Sequence, residues 1–149
     1  MIASLALLSA IAPLSASAES RSAAIQVSVT VVARAIATVD EQPQEVAVTS
    51  EDLRRGYVEL AASLRINVRT NARNGYILRL VNTDPAFASA ELTSGDLAVN
   101  VRQESVITRP RPVTAGRDAL ALKVRLILGA QAREGRYPFP VVVDATPRS

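Results

Sequence analysis

The chain has no cysteine, no histidine and no tryptophan, and only one lysine. Without cysteine or histidine it lacks the usual ligands of a structural zinc site. It also lacks the base of a His-dependent triad. No disulfide framework is available, so a buried core must hold the fold together. Three tyrosines and two phenylalanines are the whole aromatic content of 149 residues. Nucleic acid is therefore not an expected partner, because single-strand binding leans on aromatic stacking. The core has to be built from Val, Leu, Ile and Ala.

The residues that remain offer little chemistry. The sequence holds no Gly-rich phosphate loop and no dense oxygen cluster for calcium. Lys123 is the only candidate for a Ser–Lys dyad. It falls on the polar parity of a strand pattern, with no serine at the usual spacing. Paired carboxylates could do glycosidase work. Glu51 and Asp52, however, read as helix-start charges, and Glu91 and Asp96 as loop residues. The expectation is a protein that is not an enzyme and takes no cofactor or metal.

The N-terminus is apolar over residues 2–12, interrupted only by Ser4 and Ser9. Pro13 follows, then Ala16, Ser17 and Ala18. This is an apolar stretch of roughly 7–15 residues ahead of an A-x-A cleavage signal, the pattern of a secretory leader. It predicts a signal peptide over residues 1–18 and one domain over residues 19–149, in the periplasm or at the cell surface. The first residues carry no Lys or Arg, so a start codon further upstream and a buried N-terminal helix are both alternatives. The run is shorter than the roughly 20 residues of a membrane span. No stable membrane insertion is expected once the leader is removed.

Alternation dominates the rest. Ile25, Val27, Val29, Val31, Ala33, Ala35, Ala37 and Val39 share odd parity across residues 25–39. Side chains of a strand alternate between faces, so this predicts a long amphipathic first strand, bent near residues 33–37. Residues 45–48 predict a short strand. Thr49 or Ser50 is placed to cap a single helical turn that Gly56 ends. In "TNARNGYILRL", residues 70–80, two alternating runs flank Asn74 and Gly75, which predicts a β-hairpin with a longer loop. Leu120, Leu122, Val124, Leu126 and Leu128 predict a second long strand. Tyr137, Phe139, Val141 and Val143 predict a last strand, and Pro138 and Pro140 place it at a sheet edge. The fold class implied is all-β. Seven to nine strands, with one short helical turn, suggest an immunoglobulin-like antiparallel β-sandwich.

The net charge is +3, carried by sixteen arginines and one lysine. Arg65, Arg69 and Arg79 share the polar parity of the expected hairpin, and Lys123 and Arg125 that of a later strand. One sheet holding all five would have a basic outer face. Such a face serves either as a solvated surface that discourages edge pairing or as a meeting place for anions.

The leader, "IQVSVTVVARAIATV", "TNARNGYILRL" and the terminal "GRYPFPVVVDA" together resemble the spore coat protein U type. These pilin-like domains are the subunits of archaic chaperone–usher pili. The chain departs from that family at residues 33–37, where members commonly carry a cysteine. The resemblance implies an exported structural or adhesive subunit. It would be joined to other subunits, or to a periplasmic chaperone, by β-strand addition. Ile25, Val27, Val29 and Val31 have the alternation of a donor strand, and equally that of the domain's own first strand. The alternative is a self-contained periplasmic binding or chaperone-like sandwich.

Overall fold

A computed structural model describes residues 28–148, apart from 96, 114 and 115. The chain divides into two compact units, residues 1–30 and 31–149. Only residues 28–30 of the first are described. They are exposed and lie in no strand. Every strand described belongs to the second unit.

In chain order these are β1 (Ala35–Glu41), β2 (Glu45–Val48), α1 (Ser50–Arg55), β3 (Tyr57–Glu59), β4 (Leu64–Thr70), β5 (Tyr76–Asn82), β6 (Phe87–Ser94), β7 (Leu97–Val101), β8 (Glu104–Arg109), β9 (Arg117–Leu128), β10 (Gly135–Pro138) and β11 (Val141–Pro147). A large sheet runs β1-β4-β9-β6-β7, with β3 also paired to β9. A second sheet runs β11-β5-β8, and β10 pairs with β2. All pairings are antiparallel. The fold is all-β and sandwich-like.

The strand β9 organises the large sheet. Leu120, Leu122, Val124 and Leu126 are buried, while Ala121, Lys123 and Arg125 between them face solvent. One edge of β9 carries β4 and then β3, separated by residues 60–63; the other carries β6. The facing sheet contributes Tyr76, Leu78 and Leu80 from β5, all fully buried. Each such aliphatic side chain contributes about 1.5–3 kcal/mol on burial. Phe87 meets Tyr137 of β10 edge-on at 5.4 Å between ring centroids.

The helical turn forms as its sequence predicts. Thr49 caps α1 through a reciprocal capping box with Asp52, and Gly56 ends it in the left-handed conformation.

Four expectations are corrected. Among the described residues the first strand begins at Ala35, and residues 28–34 lie in no strand; residues 25–27 of the expected strand lie outside the described residues. The predicted hairpin is not one. β4 pairs with β1 and β9, whereas β5 pairs with β11 and β8, so residues 71–75 cross between sheets. Turn chemistry and alternation require the chain to reverse, but they do not say which edge the reversed strand meets. The last strand is split into β10 and β11. Its division falls at Phe139 and Pro140, where a residue without an N–H interrupts a ladder. The described strands number eleven, against seven to nine expected.

Candidate functional site

Of the four residues proposed as donor strand or first strand, Ile25 and Val27 lie outside the described residues. Val29 and Val31 are 77% and 75% exposed, and neither is in a strand. Just beyond them the chain is tied down by Asn71. The Asn71 Nδ2 donates to the Val32 carbonyl at 2.9 Å, and the Arg34 N–H donates to Asn71 Oδ1 at 2.6 Å. The Asn71 N–H in turn donates to the Arg34 carbonyl. These bonds extend the β1–β4 pairing by one step and stop it there.

β1 ends the large sheet and β11 ends the facing one. The two strands lie beside each other without a ladder between them. The edge of β1 away from β4 and the edge of β11 away from β5 have no ladder partner among the described residues. Each therefore presents unpaired N–H and C=O groups, the feature by which a sheet accepts another strand.

The five cations proposed as a basic face do not all share one sheet. Arg65 and Arg69 on β4, and Lys123 and Arg125 on β9, lie on the outer side of the large sheet. Arg79 is on β5, in the other sheet, because the expected hairpin does not pair. Acids answer three of the five. Arg65 meets Glu41 at 3.0 Å. Arg79 grips both oxygens of Glu104 at 2.7 and 2.9 Å. That fork holds the Glu104 carboxyl below its ordinary range. Arg125 meets Glu59 at 2.5 Å and Glu91 at 3.7 Å, and its guanidinium stacks 5.0 Å over the Tyr57 ring. The middle of the face is thus a neutralised ion network, whereas Arg69 and Lys123 have no acidic partner among the described residues.

Beside that network lies a cavity of about 500 Å³, lined by Glu59, Leu60, Ser63, Glu91, Lys123 and Arg125. It opens where residues 60–63 interrupt the edge beside β9. A single guanidinium engages both of its carboxylates. Among the described residues there is no group of three or more His, Cys, Asp or Glu arranged to hold a metal.

A second polar cluster was not anticipated from sequence. The Tyr76 hydroxyl donates to Asp118 Oδ2 at 2.6 Å. Arg109 donates to the same oxygen through Nε at 3.3 Å and Nη2 at 3.2 Å. Burial is the main cause that pushes the Tyr76 phenol well above its usual pKa, and the hydrogen bond to Asp118 adds to it. The only hint in the sequence is that a tyrosine at a core position needs a partner for its hydroxyl.

No family model matches this chain, and neither curated proteins nor solved structures give a match.

Proposed function

We propose that the chain is an exported, non-enzymatic structural subunit of pilin-like type. It would be linked to its neighbours by β-strand donation, with the segment containing Ile25, Val27, Val29 and Val31 as the donor. The observation that carries this reading is the exposure of Val29 and Val31 in a stretch with no strand partner. Valines alternating along an exposed segment are unfavourable in water and are stabilised by burial in a neighbour's groove. The unpaired edges of β1 and β11 supply an acceptor of the matching kind. Donation from one copy to the next is a head-to-tail contact, which builds open filaments.

Size-exclusion chromatography with light scattering tests the proposal. Residues 19–149 are compared with a chain starting at Val32. Concentration-dependent or SDS-resistant oligomers from the longer chain support it, provided that the shorter one is a folded monomer that binds a peptide of residues 19–31. A stable monomer from the longer chain, with unfolding of the shorter one, would make the segment part of its own domain. The protein would then be better read as a self-contained periplasmic binding or chaperone-like module.

A further inference from the structure

Six of the nine arginines that make no ion pair among the described residues gather at one end of the sandwich. β1 starts there, opposite the end of β4, since Ala35 pairs with Thr70. β9 also starts there, with Arg69 opposite Arg117. Tyr76, at the start of β5, pairs with Arg109 at the end of β8 and with Pro147 at the end of β11. This end consequently collects Arg34, Arg69, Arg73, Arg111, Arg117 and Arg148. All six are exposed and none makes an ion pair among the described residues. The one acid described at this end, Asp118, is engaged by Tyr76 and Arg109. Arg34 and Arg69 line an open cavity of about 300 Å³ together with Ile36, Asn71 and Gly116.

Two features separate this end from an ordinary solvated surface. Arg69 and Arg117 are directly opposite each other on neighbouring strands, a like-charge placement that disfavours the fold. Aliphatic side chains also stand among the charges. Val113, in the loop between Arg111 and Arg117, is fully exposed at 104%, and Val32 is 75% exposed. A soluble polyanion would satisfy the arginines and leave the valines in water. The headgroup layer of an anionic membrane takes both, with cations at the phosphates and short apolar groups beneath them.

We propose that this arginine-rich end docks on an anionic lipid surface, with Val113 and Val32 entering the headgroup layer. The contact is peripheral. Among the described residues no helix is long and apolar enough to cross a membrane.

Vesicle co-sedimentation of residues 19–149 tests it; all eleven strands lie within that stretch. The protein is expected to sediment with phosphatidylcholine–phosphatidylglycerol vesicles, to ignore pure phosphatidylcholine, and to be released by high salt. Partitioning should fall about fivefold for each arginine lost, and further in the Arg69→Glu, Arg117→Glu double variant. Arg102→Glu, at the opposite end and also unpaired, should change it least. Val113→Ser should weaken vesicle binding and leave binding to dextran sulfate unaltered. Absence of sedimentation overturns the proposal. So does an equal loss from Arg102→Glu. A Val113→Ser variant that binds vesicles as tightly as the parent would also overturn it and favour a soluble polyanion. Thermal melts confirm that each variant is folded. Removing residues 19–31 should abolish strand donation and leave vesicle binding in place, so the two proposals fail separately.

Discussion

The Tyr76 hydroxyl and the Asp118 carboxylate meet at 2.6 Å and tie the two sheets together through the core. Tyr76 starts β5 in the smaller sheet, while Asp118 is the second residue of β9 in the larger one. A hydrogen bond to a charged acceptor contributes about 1.5–3 kcal/mol. Tyr76→Phe keeps the ring and removes that bond, so a loss of stability in that range is expected. Asp118→Ala should cost more, because it strands both the buried phenol and Arg109. Urea denaturation with an unchanged m-value would verify both losses; a neutral Tyr76→Phe would show that the bond adds nothing net.

The same pair sets an alkaline limit. Burial and Asp118 raise the Tyr76 phenol above its ordinary value of 10.0 in the folded state. The folded protein keeps that proton where the unfolded chain releases it. The stabilisation is therefore complete below about pH 10 and shrinks as pH climbs from there toward the folded value. When phenolate absorbance is followed, Tyr76 should ionise above the range of an ordinary phenol. Its ionisation should coincide with unfolding. If the Tyr76→Phe variant loses phenolate absorbance in the ordinary phenol range while the parent remains folded, the assignment is wrong.

The acid limb has a different source. The Thr49 hydroxyl and the Thr49 backbone N–H both donate to the Asp52 carboxylate, at 2.7 and 2.9 Å, and hold its pKa below 3.8. A depressed carboxyl stabilises the fold above its unfolded pKa, and that contribution vanishes as pH falls through the folded one. Thr49→Ala removes the helix cap and both interactions of its side chain. It should cost about 1 kcal/mol near neutral pH and less in acid. Melting temperatures at neutral and acidic pH separate this from a simple packing loss, which would be the same at both.

The parts of the fold legible in the sequence are those whose signal is local. The buried face of β9 follows from the parity of Leu120 to Leu128, and α1 follows from Thr49 at its start and Gly56 at its end. Strand pairing is not local. Residues 71–75 announce a reversal, and nothing in them distinguishes a hairpin from a crossing between sheets. That single ambiguity moved Arg79 away from Arg65 and Arg69. β8 escaped notice because its side chains alternate only between exposed and half-buried, with Val106 turned to solvent. β6 is masked by small residues and by a register shift between Phe87 and Ser89. The arginine-rich end draws on four segments distant in sequence, so only the topology assembles it.

Gly75 makes the crossing between sheets possible. It has φ +91, and a Cβ there would meet the Arg109 carbonyl oxygen at 2.1 Å. Gly56 has a similar φ of +82 with nothing within 4 Å of an added Cβ. Both positions carry the conformational penalty of a left-handed residue, about 1 kcal/mol. Only Gly75 adds a clash with backbone that cannot step aside. Gly56→Ala should therefore destabilise by about 1 kcal/mol, and Gly75→Ala by several times that or to the point of unfolding. Equal effects in a chemical denaturation series would mean that the close approach of residues 71–75 to the β8 end is not what requires glycine.

Arg117 offers a place where stability and binding should part. It sits directly opposite Arg69, and like charges in that position cost a few tenths of a kcal/mol up to about 1 kcal/mol. Replacing it by glutamate turns a repulsive pair into an attractive one between neighbouring strands. Arg117→Glu should therefore melt higher than the parent at low salt, with the gain fading as salt is added. The same change removes one cation from the arginine-rich end and introduces an acid there, so anionic vesicles should hold the variant more weakly. A residue serving only the fold would not be expected to stabilise it on replacement by a residue of opposite charge. If Arg117→Glu instead destabilises the protein, Arg117 has a structural partner, and the like-charge argument for a lipid-facing end loses its footing.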